Sequence, residues 1–163
     1  MSKSLHLHLS EAASKNIILP SVTSVIPHRP PFLFLEKVSH CEKQKVVGHY
    51  TFLQHQEIFQ GHFPERPIVP GVLLLEGAAQ TLAYWALLNK PNHWVLLTGT
   101  EDAKWTHPVY PGQQITYQVL VKKAKLGLVI AEIEVWVATE LALSAVIKGF
   151  LQKKSLDEPN SKC

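Results

Sequence analysis

The chain has 163 residues, 46% of them hydrophobic and 18% charged, the composition of one folded domain with a sizeable core rather than of a disordered chain. A formal charge of +3 demands no nucleic acid, and the lysines lack interleaved aromatics, whereas a mild basic balance suits a small acidic partner. Cys41 and Cys163 read as unpaired thiols, which points to a reducing cytoplasm and away from a disulfide framework.

Residues 1–20 form a weakly patterned N-terminal extension with no apolar run of signal-peptide length, and a short helix near Ser10–Lys15 is the one element it suggests. His6 and His8 alternate there, but two histidines with no third ligand make no metal site, and none is expected elsewhere. Ser21–Ile26 predicts a helical turn, stopped by Pro27 and again by Pro30-Pro31. Phe32–Val38 and Lys43–Leu53 predict two strands about a polar turn at Ser39–Glu42. A Pro-rich loop over 60–70 then leads into a long apolar helix over about 71–89, opened by Pro70-Gly71 and closed by Asn89 and Pro91. Its apolar run, Val72–Leu88, is slightly short of the roughly 20 residues that span a bilayer and is broken by Glu76, Gln80 and Thr81, so no membrane span is expected.

Beyond the helix the apolar period changes to two. His93–Trp105 predicts a strand, and His107–Gly112 a turn. Ile115, Tyr117, Val119 and Val121 alternate with polar neighbours, as do Ile133, Val135 and Val137, and then Leu141, Leu143, Ala145 and Ile147. An α+β fold follows: a helix apolar nearly all round, enclosed by one curved antiparallel sheet of about five or six strands spanning 21–154, with a polar, frayed tail over 155–163.

Two ionisable residues stand out. His62 follows Gly61 and sits in a loop restricted by Pro64, Pro67 and Pro70, as a fixed base requires. Glu76 is flanked by Leu73, Leu74, Leu75, Ala78 and Ala79, and burial would raise its pKa and keep it protonated as a proton donor; a hydrogen-bonded core carboxylate is the plainer alternative. Gln80, one turn on, suits an orienting role. Gly71 places a backbone N–H at the positive end of the helix, where a thioester oxygen gaining charge could sit, although a glycine that merely starts a helix looks the same. Glu101-Asp102 reads as a solvated pair, since neighbours on a strand point to opposite faces. Phosphate loop, nucleophile elbow and zinc cluster are all missing from the sequence. An acid and a base without metal, cofactor or nucleophilic serine favour elimination or hydration over an acyl-enzyme route.

Ile26-Pro27-His28-Arg29-Pro30-Pro31-Phe32-Leu33, Gly61-His62-Phe63-Pro64, and Pro67-Ile68-Val69-Pro70-Gly71-Val72-Leu73 with Glu76 and Ala79-Gln80 closely resemble the FabZ-type (3R)-3-hydroxyacyl-ACP dehydratases. Gly99–Trp105, His107-Pro108-Val109 and Pro111-Gly112-Gln113 extend the resemblance, which runs from about residue 21 to 153. It implies the hot-dog fold, and dimers with joined sheets that usually assemble as trimers of dimers. It also implies that His62 of one protomer removes the C2 proton of the acyl thioester, while Glu76 of the other assists departure of the 3-hydroxyl. The Gly71 N–H would polarise the carbonyl, and Gln80 would hold the Glu76 region. An acidic acyl carrier protein would deliver the substrate, docking among Arg66, Lys104, Lys122, Lys123 and Lys125. Glutamate at 76 resembles FabZ rather than the isomerising FabA type.

The chain departs from the family pattern at Pro30, at Gly77, at Asp102, Thr106 and His107, and in residues 1–20. Gly77 costs about 1 kcal/mol in a helix and would serve a close approach at the dimer interface. The altered positive positions suit a dedicated dehydratase of a secondary lipid or polyketide-like pathway. Two other readings compete: a hot-dog thioesterase, which needs no histidine base, and a non-catalytic acyl-binding subunit that stabilises an active paralogue.

Overall fold

The computed structural model describes residues 18–155. The expected helix at Ser10–Lys15, His6, His8, Cys163 and nearly all of the polar tail lie outside that range. In chain order the elements are α1 (Val22–Val25), β1 (Lys37–Cys41), β2 (Lys45–Thr51), α2 (Ile58–Gly61), α3 (Gly71–Asn89), β3 (His93–Trp105), β4 (Gln114–Lys125), β5 (Leu128–Val137) and β6 (Glu140–Lys153). The six strands form one antiparallel sheet in the order β1-β2-β4-β5-β6-β3. Helix α3 packs against β2 to β6 and against α1.

Strict alternation makes the sheet's inner face. Ile115, Tyr117, Val119 and Val121 of β4 and Val129, Ala131, Ile133, Val135 and Val137 of β5 are all buried. On β6 the phase slips, because the pairing jumps from Val135↔Leu143 to Trp136↔Leu141 and leaves Ala142 as a bulged residue. Ala142 is therefore buried and Leu141 is only half-buried, one residue out of step with the simple alternation.

Helix α3 runs from Gly71 to Asn89 as expected, and by length and composition alone it could cross a membrane. Its Leu74, Ala78, Leu82, Ala83, Ala86 and Leu87 instead fill the concave side of the sheet. The sheet wraps the helix as expected and leaves one stripe of it open. Val72 is 65% exposed, and Leu73, Leu75, Glu76 and Ala79 are half-buried along the same uncovered stripe.

Two further differences concern the first strands. The first strand starts at Lys37 rather than at Phe32, with the Glu36 N–H donating to the His49 carbonyl of β2 at 2.8 Å just ahead of it. The Phe34 N–H bonds the Gln80 side-chain oxygen at 2.8 Å instead of a neighbouring strand, so this aromatic segment docks on α3. Ser39, His40 and Cys41 belong to β1, and the reversal is tighter and later than expected, closed by Glu42 N–H to Lys45 C=O. Gly77 makes a close approach within the chain. A Cβ there would lie 2.0 Å from the Tyr117 hydroxyl of the same chain, so the glycine admits that ring beneath the helix.

Candidate active site

His62 is the C-terminal cap of the short helix α2 and is half-buried. The loop after it is held at both ends, by Arg66 N–H to Phe63 C=O and by Val69 N–H to Val109 C=O. Within that frame His62 Nδ1 lies 3.1 Å from the Ile68 carbonyl oxygen. A carbonyl only accepts, so the proton must be on Nδ1, and Nε2 is left with its lone pair free. A proton acceptor is fixed in tautomer and direction by main chain alone.

Glu76 projects from the uncovered stripe of α3 with its side chain 23% exposed, less hidden than the leucines around it suggest. Gln80 Nε2 donates to Glu76 Oε1 at 3.0 Å, as the one-turn spacing allows. Gln80 is itself buried and pinned, accepting from Phe34 N–H at 2.8 Å and donating to Phe32 C=O at 3.2 Å. The extended segment before β1 thus fixes the amide that orients the carboxyl group.

Gly71 is the first residue of α3, so its N–H has no acceptor within the helix. The glycine is required by Trp105: the indole donates from Nε1 to the Gly71 carbonyl at 2.9 Å, and a Cβ on residue 71 would lie 2.5 Å from that nitrogen. The helix start and the end of β3 are joined there.

His28 carries a second signal that no role was expected for. Its Nε2 lies 3.7 Å from Glu76 Oε1, and the two line a cavity of about 250 Å³ with Ala79, Gln80, Leu96 and Leu97. Burial lowers its pKa, the Glu76 carboxylate opposes that shift, and Arg29 reinforces it. A separation of 48 residues from its helix partner hid this pairing, although His28 stands in a recognisable Pro-His-Arg-Pro run.

Within one chain the structure joins Glu76 with Gln80 and with His28, but His62 and Glu76 make neither an ion pair nor a hydrogen bond among the described residues. The positive residues also divide. Lys104 adjoins Trp105 and Arg66 lies in the loop before α3, both toward the helix start. Lys122 and Lys123 line a groove with Trp85 and Asn89 at the other end, about 27 Å away along the helix, and Lys125 lies beside Lys90 there. These five residues do not make one face.

A family model described as a FabA-like domain matches residues 26–146. The chain is 36% identical over 140 residues to a 3-hydroxyacyl-(acyl-carrier-protein) dehydratase FabZ of Campylobacter lari, an alignment covering 82% of this chain and 96% of that protein. It is 40% identical over 106 residues to a FabZ dehydratase of Fusobacterium nucleatum, covering 64% of this chain and 75% of the other. Among solved structures, the dehydratase heterocomplex ApeI:P from Xenorhabdus doucetiae superposes with a TM-score of 0.70 over 84% of this chain and 93% of that one. Sequence identity in that pair is 16%, so the likeness speaks for the fold alone. The chain belongs to the FabZ group of the FabA-like family and has its hot-dog fold.

Proposed function

We propose that the protein dehydrates (3R)-3-hydroxyacyl thioesters, presented on an acyl carrier protein, to trans-2-enoyl thioesters. His62 Nε2 takes the C2 proton, the C3–O bond breaks, and Glu76 gives its proton to the departing hydroxyl, which leaves as water. The Gly71 N–H stabilises the negative charge that gathers on the thioester oxygen. Gln80 keeps Glu76 in the orientation that reaches the hydroxyl. The observation that carries the proposal is the His62 Nδ1–Ile68 carbonyl bond, since it leaves the outward nitrogen as a base. The relatives named above carry this activity in their names, which supports the same chemistry here.

The base and the acid come from two protomers. Support lies in the absence of an intrachain His62–Glu76 contact among the described residues and in the edge strand β3. Its outer residues Leu96 and Leu97 are each 46% exposed beside the open Val72 stripe, an apolar edge suited to pairing with a second copy. Residues 21–154 form the catalytic unit, acting in the cytoplasm, where the free, half-buried Cys41 thiol stays reduced.

The test follows the absorbance of a conjugated enoyl thioester as purified protein meets 3-hydroxyacyl carrier proteins of several chain lengths. The signal is expected with wild type and lost in His62→Ala and Glu76→Gln, each with an unchanged melting temperature. Thiol release without enoyl absorbance would identify a thioesterase instead.

A further inference from the structure

The acid of this site is approached by two nitrogens from different parts of the chain. Gln80 Nε2 already donates to Glu76 Oε1 at 3.0 Å, and His28 Nε2 faces the same oxygen at 3.7 Å, about 0.7 Å beyond a normal N–H···O bond. A small rotation of either side chain closes that gap. The backbone carrying His28 is held still by Arg29, whose guanidinium donates to the carbonyls of Thr23 at 2.9 Å, Ile26 at 2.9 Å and His28 at 2.7 Å. A loop riveted in this way around a ring that met no substrate or partner would be hard to account for.

We infer that His28 is a positioning residue for Glu76, a neutral N–H donor that closes on the carboxylate as Glu76 releases its proton. This rests on Glu76 acting as the acid.

Neutrality is what makes a histidine suitable. A lysine at this distance would hold Glu76 ionised and disarm it before the substrate arrived. A neutral imidazole donates one hydrogen bond without placing a positive charge beside the acid. Its surroundings favour that state. The cavity walls facing the ring are Ala79, Leu82 and Ala83 of α3, Val95, Leu96 and Leu97 of β3, and Gly149 of β6, all without charge. The charged groups near it are Glu76 on α3 and Arg29 on its own loop, and the direct burial effect outweighs the attraction of Glu76. His28 Nδ1 is buried without a hydrogen-bond partner, which leaves Nε2 as the nitrogen able to engage Glu76.

A pH signature follows. When His28 gains a proton in acid it becomes a cation beside Glu76 and ceases to be a neutral donor. Loss of activity on the acid side should therefore include protonation of His28.

The test compares wild type, His28→Gln and His28→Phe by kcat, KM and pH profile, with melting temperature as the folding control. His28→Gln keeps a donor and is expected within about threefold of wild-type kcat near neutrality, with a shallower acid limb. His28→Phe is expected to lose roughly tenfold or more in kcat, as for a charge-assisted hydrogen bond, with KM changed less than twofold. Wild-type kcat and an unaltered acid limb in His28→Phe would overturn the inference while leaving the dehydratase proposal intact. A second measurement needs no turnover: the His28 imidazole titration by NMR in wild type and in Glu76→Gln. The midpoint is expected to fall when the carboxylate is removed, and an unmoved midpoint would overturn the pairing even if no dehydration were found.

Discussion

The Tyr117 hydroxyl lies beneath the backbone of Gly77, where a Cβ on residue 77 would come within 2.0 Å of it. The ring is fully buried, its hydroxyl has no hydrogen-bond partner, and burial drives its pKa well above the ordinary tyrosine value. Gly77→Ala should destabilise the protein by about 1–3 kcal/mol through overpacking, despite a helix-propensity gain of about 1 kcal/mol. Urea unfolding measures this, and the penalty should disappear in a Tyr117→Ala background. Tyr117→Phe, which deletes an unsatisfied buried hydroxyl, should be neutral or more stable by about 1 kcal/mol.

Gln80 serves three partners at once, so its loss should appear in both stability and rate. Gln80→Leu leaves the Phe34 N–H and the Phe32 carbonyl unmatched and is expected to cost about 1–3 kcal/mol. The dehydration rate should fall about tenfold or more, because Glu76 loses its orienting donor. Unchanged kcat in a folded Gln80→Leu protein would show that Glu76 needs no such support.

Carrier docking should divide between the two ends of α3. Arg66→Glu and Lys104→Glu, at the end bearing Gly71, should raise KM for an acyl carrier protein by about tenfold. They should leave turnover of a small acyl thioester unchanged. Lys122→Glu and Lys123→Glu, beside Asn89, should alter neither. The reverse pattern would place the carrier at the far groove.

Acid should weaken the fold through His49. This ring sits between Ser39 Oγ at 2.7 Å and Thr116 Oγ1 at 3.2 Å. Burial lowers its pKa below the ordinary 6.5, Lys37 adds to the shift, and Glu36 opposes it. The unfolded imidazole therefore takes its proton first as pH falls through about 6.5, and stability is lost from there down to the folded value. His49→Asn should flatten the fall in melting temperature between about pH 7.5 and about pH 5.5. An equally steep fall in the variant would assign the acid sensitivity to other groups.

Local punctuation was the most legible part of the chain. Pro70-Gly71 and Asn89-Lys90-Pro91 bracket a helix observed at Gly71–Asn89, and period-two alternation marked the strands from Gln114 onward. Phe32–Glu36 misled because its aromatic, β-rich composition describes any extended segment with one buried side. The Phe34 N–H finds its partner in a side chain 46 residues away, and a bond to a strand comes only with Glu36. The Gly77–Tyr117 and His28–Glu76 contacts were hidden for the same reason, since each joins a residue of α3 to a distant element. The Gln80–Glu76 hydrogen bond lay within the reach of local reasoning because its partners are one turn apart.

Trp105 bonds the first carbonyl of α3 from the last residue of the edge strand β3. The strand proposed as the seam to a second copy therefore ends on the joint that holds the helix's first residue. Bending or twisting β3 shifts the indole, and through it the direction of that residue's amide. In the proposed dimer, assembly and catalysis would share one hinge pin, so an indole whose surroundings change on pairing would act as a built-in optical gauge of how firmly the site is set.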